Sequence, residues 1–108
     1  MDQPFVYLAD LAREVEPPAD GTLSRTLYQD AKLKAVLFGF AAGQELSEHA
    51  ASVPAVMHFL SGEATVSSED GSTVELRPGV TFVARAGWRG SWDVRETVRK
   101  IYVIWRMP

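Results

Sequence analysis

Short runs of β-forming residues, each closed within a few residues by a turn, leave this 108-residue chain little choice but a stack of antiparallel sheets. Eight such runs are predicted, over residues 22–28, 32–41, 54–60, 63–67, 73–76, 80–84, 92–95 and 98–105. Ser61-Gly62, Glu69-Asp70-Gly71-Ser72 and Arg77-Pro78-Gly79 join several of them, each with a glycine where a positive φ is needed. The first run alternates, with Leu23, Arg25 and Leu27 on one face and Thr22, Ser24, Thr26 and Tyr28 on the other, the pattern of a half-buried strand. Residues 32–41 are apolar on both faces, so that strand is predicted to lie between a barrel interior and a second layer such as a partner subunit. The last run behaves likewise: of the face with Ile101, Val103 and Trp105 and the face with Tyr102 and Ile104, one should meet the cavity and the other a dimer partner. Helical spacing is confined to Leu8, Leu11, Ala12 and Val15, and Pro17-Pro18 stops it after one or two turns. The expectation is an all-β fold, a double-sheet barrel or jelly roll with a short N-terminal helical turn.

The length suits one domain with one core, read as residues 1–108 with the barrel over about 22–105. With 46% apolar and 23% charged residues the composition is that of an ordinary globular protein. A net charge of −3 gives no general attraction to nucleic acid or to an anionic membrane surface. The charge is unevenly spread, however, with six basic and two acidic residues between 85 and 106. An anion-seeking surface is therefore expected in the last part of the chain. There is no cysteine, so no disulfide framework and no thiolate nucleophile. The longest apolar stretch, 35–42, is too short for a membrane span, the first residues lack a leader pattern, and the expected location is cytoplasmic.

Two segments carry fixed glycine and charge spacing. In the first, Gly43 is followed by His49, Ala51, Ala55 and Gly62; in the second, Gly79 is followed by Arg85, Gly87 and Gly90. This resembles the paired signature of the cupin family, glycine, five residues, His-x-His, three or four residues, Glu, six residues, glycine, and then glycine, five residues, Pro-x-Gly, two residues, histidine. Ala51, Ala55 and Gly90 stand where three of the family's four metal ligands would be, and only His49 is kept. Residues 38–66 are similar to small single-domain cupins. Residues 78–103 resemble the cupin group that includes the ureidoglycine aminohydrolases and the ethanolamine-utilisation cupin. Gly-Trp-x-Gly-x-Trp is met by Gly87, Trp88, Gly90 and Trp92, and Glu-x-x-Arg-Lys-x-Tyr by Glu96, Arg99, Lys100 and Tyr102. That group commonly has glycine in place of the second-motif histidine. Val80 and Arg85 depart from it, the latter setting a cation at the barrel mouth where a proline is usual.

A first-row divalent metal needs about three protein donors, and two of the three inward-facing first-motif positions have none. No cofactor is expected; a rebuilt metal site would have to recruit His49, His58, Glu45 or Glu48. His58 has the opposite parity to Met57, which sends it away from the cavity. His49 is the candidate acid or base, since imidazole titrates near neutrality, and it reads equally well as a remnant that only hydrogen-bonds a nearby carboxylate. Ser47, Glu48 and His49 are strand neighbours and cannot form a nucleophile and base pair. The expected ligand-binding residues are Arg85, Trp88, Met57, Phe59 and Tyr102, with Phe82 also lining the interior. Glu96, Arg99 and Lys100 read as cross-strand ion pairs.

Three functions stay open from the sequence. One is a metabolite-binding or auxiliary protein of small-molecule catabolism with a degenerate metal site. The second is an enzyme of the ureidoglycine or ethanolamine-associated kind, with His49 as acid or base and Arg85 holding a carboxylate. The third is a structural dimer module. A small-molecule ligand and a second copy of the chain are the partners expected, and nucleic acid and membrane are not.

Overall fold

Nine strands and one 3-10 turn, Leu11–Arg13, make up the regular structure of the described residues. The strands are β1 Thr22–Gln29, β2 Leu33–Phe40, β3 Glu45–His49, β4 Ala55–Ser61, β5 Ala64–Ser68, β6 Thr73–Leu76, β7 Thr81–Ala84, β8 Arg89–Val94 and β9 Val98–Trp105. The structure, a computed structural model, describes residues 5–19, 21–49 and 54–105, and for 45–49 it describes the backbone alone. No helix among the described residues is long and apolar enough to cross a membrane.

One sheet has the order β1-β2-β9-β4-β7 and the other β3-β8-β5-β6, with antiparallel pairing throughout. The chain changes sheet at β2 to β3, β3 to β4, β4 to β5, β6 to β7, β7 to β8 and β8 to β9, which winds a double-stranded β-helix. Two elements differ from the sequence expectation. The strand β3, Glu45–His49, was not among the eight runs, because Glu-Leu-Ser-Glu-His is short and mostly polar. Its ladder with β8 supplies what residue preference does not. The strand β8 begins three residues before the run 92–95, since it is held on both sides, by β3 and by β5.

The core lies between the sheets. Ala55, Met57, Phe59, Ala84, Val98 and Tyr102 from the larger sheet meet Ala64, Val66, Leu76, Trp92 and Val94 from the smaller. The second layer predicted for 32–41 is the chain's own N-terminal segment. Leu37 and Val15 are buried, yet neither belongs to the intersheet cluster. A Cβ on Gly39 would run into Val15 and come within 3.2 Å of Pro17 Cδ. The Arg99 guanidinium fixes this strap, donating Nε–H to the Val15 carbonyl at 2.8 Å and pairing with Glu16 at 2.9 Å. Arg25 of β1 pairs with Glu14.

Two turns are held by aspartates. Asp30 accepts from the Tyr28 hydroxyl at 2.6 Å and from the Lys32 and Leu33 amides, and these donors hold its carboxyl below the usual carboxylate range. Asp70 does the same with the hydroxyl and amide of Ser72. On the outer face of the smaller sheet, Arg95 and Thr65 converge on Glu75 and lower its carboxyl likewise.

Candidate functional site: the barrel interior around Lys100

Along β9 the register alternates strictly, so Val98, Lys100 and Tyr102 share the inner face and Arg99, Ile101 and Val103 the outer. Lys100 stands opposite Phe38 of β2 and Phe59 of β4 in the ladder, and its side chain is only 1% exposed. Its ammonium lies among aromatic rings: Trp92 at 4.4 Å from the ring centroid, Phe40 at 5.2 Å, Tyr102 at 5.4 Å, Phe38 at 5.7 Å and Phe59 at 5.9 Å. The Met57 sulfur lies 3.5 Å from Nζ. Ring faces carry negative charge density and a thioether is polarisable, so each attracts a cation that has left water. The rings also brace one another: Phe38 meets Tyr102 edge-on at 5.9 Å, and Phe59 meets Trp92 at 5.9 Å with a 46° tilt.

This corrects the sequence expectation for β9. Lys100 is not a cross-strand surface partner, and Arg99 pairs with Glu16 rather than with Glu96. The signal was available in the alternation, since Lys100 falls between Val98 and Tyr102 on an apolar face. It was overridden by the usual exposure of lysine.

Of the residues chosen from the sequence, Met57, Phe59 and Tyr102 are brought together around the ammonium. Trp88 is half-buried beside them, donating Nε1–H to Ser68 Oγ at 2.9 Å and packing edge-on against Phe82 at 5.2 Å and Trp92 at 5.9 Å. Arg85 is exposed in the turn after β7, where its carbonyl accepts the Trp88 amide at 3.0 Å. His58 stands on the outer face, with Nδ1 2.8 Å from Thr81 Oγ1. For Glu45 and His49 only the backbone is described, and Ala51 lies outside the described residues. The ladder puts Glu48 opposite Gly90 and Leu46 opposite Trp92, while His49 stands opposite Arg89 and Ser47 opposite Ser91.

The positions that would complete a metal cage do not supply donors. Ala55 is 1% exposed and stands between Ile104 and Ala84 in register. At Gly90 the space for a side chain is taken: a Cβ there would strike the Trp88 indole and come within 2.7 Å of the Ser67 carbonyl. Among the described residues no three potential metal ligands of the His, Cys, Asp and Glu types cluster. The side chains at 51, 55 and 90 thus do not fit the four-ligand ion site of the signature.

Residues 37–102 match the family model described as EutQ-like cupin domain. Among solved structures, a conserved protein of unknown function from Streptococcus pyogenes is 28% identical, with a TM-score of 0.79 over 100% of this chain and 92% of that one. A cupin superfamily protein from Desulfitobacterium hafniense shares the fold at 20% identity and TM-score 0.81, covering 94% of this chain and 93% of its own. The EutQ protein of Clostridium difficile does so at 15% identity and TM-score 0.69, over 89% of this chain and 73% of that one. No curated protein matches. With well over half of its length inside the family model and a double-stranded β-helix to carry it, this chain belongs to the EutQ-like cupin domain family, within the cupin superfamily.

Proposed function

We propose that this protein is a small-molecule-binding cupin that works without the family's metal, as a metabolite-binding or auxiliary protein in the catabolism of a small polar compound. The observation behind this reading is the makeup of the interior. Where the signature would assemble imidazole and carboxylate donors, this chain has Ala55, Gly90 and the Trp88 indole, and next to them aromatic rings and a thioether around one ammonium. An apolar wall with a few polar groups is the usual makeup of a small organic ligand site.

The test is elemental analysis of protein purified without a metal-affinity tag, paired with a melting screen across small carboxylates, amines and ureides. Substoichiometric metal, unchanged in His49→Ala, together with a melting shift of several degrees by one compound class, is the expected result. Stoichiometric metal that His49→Ala removes would refute the metal-free reading.

We also propose that the protein is a homodimer built on the outer face of the five-stranded sheet. Phe5, Val6, Val83 and Trp105 are large apolar side chains 63%, 56%, 59% and 47% exposed. A groove of about 390 Å³ runs between Phe5, Val6 and Leu8 on one side and Tyr28, Leu33 and Ala35 on the other. Apolar exposure concentrated on one sheet face favours a partner over water, and a second copy offers the same complementary surface. Sedimentation velocity should give twice the chain mass for wild type and the single-chain mass for Trp105→Glu; a monomeric wild type at micromolar concentration would refute the dimer.

A further inference from the structure

We propose that Asp70-Gly71, at the tip of the β5–β6 hairpin, is a site of spontaneous backbone isomerisation to isoaspartate that the fold keeps closed, with Ser72 as its guard. Water is the only co-reactant, and the inference holds whatever the barrel binds.

The chemistry is intrinsic to the dipeptide. Glycine puts no side chain beside its amide nitrogen, which can therefore reach the Cγ of a preceding aspartate. The N–Cγ bond forms, the amide gives up its proton, and the carboxyl loses one oxygen as water, leaving a five-membered succinimide. Water then reopens the ring. Attack on the side-chain carbonyl restores aspartate, whereas attack on the main-chain carbonyl breaks the original peptide bond and leaves the chain running through Cγ. The second product is isoaspartate, with one extra methylene in the backbone. The forward step needs a free amide N–H, a carboxyl turned toward it and a protonated oxygen to leave.

All three requirements are opposed at this tip. The Gly71 N–H is engaged, donating to the Ser68 carbonyl at 2.9 Å. Asp70 Oδ1 accepts the Ser72 hydroxyl at 2.6 Å and the Ser72 amide at 2.9 Å, so turning the carboxyl toward the Gly71 nitrogen breaks both bonds. The same hydroxyl, and after it the same amide, hold the carboxyl below the usual carboxylate range, which deprives the step of its leaving group. The surrounding tip is tied down as well: the Ser68 amide donates to the Ser72 carbonyl at 2.7 Å, the Glu69 amide to the Arg89 carbonyl at 3.0 Å, and the Trp88 indole to Ser68 Oγ at 2.9 Å.

Residues 69–75 are exposed, so water reaches the dipeptide and only the bonding restrains it. Gly71 sits at φ +91 with no atom within 4 Å of its Cβ position, so the left-handed turn and not crowding calls for glycine. The turn thus requires the residue that makes the dipeptide reactive and places beside it the serine that restrains it. An isoaspartate here would lengthen the chain between Ser68 and Ser72, detach the clamp and strain the pairing of Ser67 with Thr73 and of Val66 with Val74.

The experiment incubates wild type, Ser72→Ala, Ser72→Thr and Asp70→Asn for weeks in neutral buffer, folded and, in parallel, unfolded in concentrated guanidinium chloride. Peptide mapping with fragmentation quantifies isoaspartate at position 70. In Asp70→Asn the same attack expels ammonia instead of water, so its rate reads the clamp without the need for a protonated oxygen. Folded wild type and folded Asp70→Asn are each expected to react at least about tenfold more slowly than when unfolded. Folded Ser72→Ala should isomerise at least about fivefold faster than wild type while Ser72→Thr, which keeps the hydroxyl, stays near it. Equal rates for folded and unfolded wild type would overturn the proposal, as would Ser72→Ala at the wild-type rate or Ser72→Thr at the Ser72→Ala rate. A folded Asp70→Asn that releases ammonia as fast as the unfolded chain would equally overturn it. If Ser72→Ala fails to fold, Ser72→Val against Ser72→Thr makes the comparison at matched shape: a faster valine variant supports the guard, and equal rates overturn it.

Discussion

Gly62→Ala is expected to destabilise the protein by about 3 kcal/mol, a fall of roughly 15 °C in melting temperature for a domain of this size. Two costs combine. Gly62 has φ +85, which an L side chain adopts only with strain. A Cβ there would also strike the Thr97 carbonyl and approach Val98 Cα at 2.7 Å, so the backbone entering β9 would have to move. The turn from β4 to β5 is locked to that same region, because the Glu63 carbonyl accepts the amides of Arg95 and Glu96 at 3.0 and 3.1 Å. Gly71→Ala provides the control. Its φ is +91, yet no atom lies within 4 Å of the Cβ position, so only the conformational cost of about 1 kcal/mol remains. Urea unfolding of both variants checks this, and equal losses would mean that the approach to Thr97 carries no energetic weight.

Phe59→Ala is the second large effect, at about 4 kcal/mol by chemical denaturation. The ring is 2% exposed, packs on Trp92 at 5.9 Å and stands next to Lys100 in the β4–β9 ladder. Its removal leaves a cavity that the two sheets cannot close, and it deprives the ammonium of one ring face. Trp92 emission should shift in the same variant. Val83→Ala, at an exposed position of β7, is expected to stay within about 0.5 kcal/mol of wild type in the isolated chain. A Phe59→Ala loss under 1 kcal/mol would contradict a tightly packed interior.

The fold was legible because turn chemistry and alternation agree with each other. Gly62, Gly71 and Gly79 all take positive φ, at the turns where glycine was read as a punctuator. Val36, Phe38 and Phe40 face the core by simple period-two counting, with Phe38 and Phe40 packed against the buried cluster. The strand β3 was legible only through motif spacing and not through residue preference, because Glu-Leu-Ser-Glu-His has neither alternation nor β-branched residues, and its partner β8 gives it a place. The site was less legible still. The side chain of His49, to which motif spacing points, lies outside the described residues, and among those described the buried Lys100 is of a type easily read as solvent-facing. Local pattern alone could have identified it, since an isolated lysine on the apolar face of a core strand is rarely a surface residue by parity.

Arg99 and Lys100 are consecutive, and they hold opposite sides of the same wall: one fastens the strap at Val15 and Glu16, the other reaches into the aromatic interior. Slippage of β9 by a single residue would exchange them, forcing a fork-shaped guanidinium among the rings and leaving the ammonium to grope for a carbonyl outside. Misthreaded alternatives of this strand therefore fail on both faces at once, so an adjacent pair of cations acts as a proofreading device for its alignment.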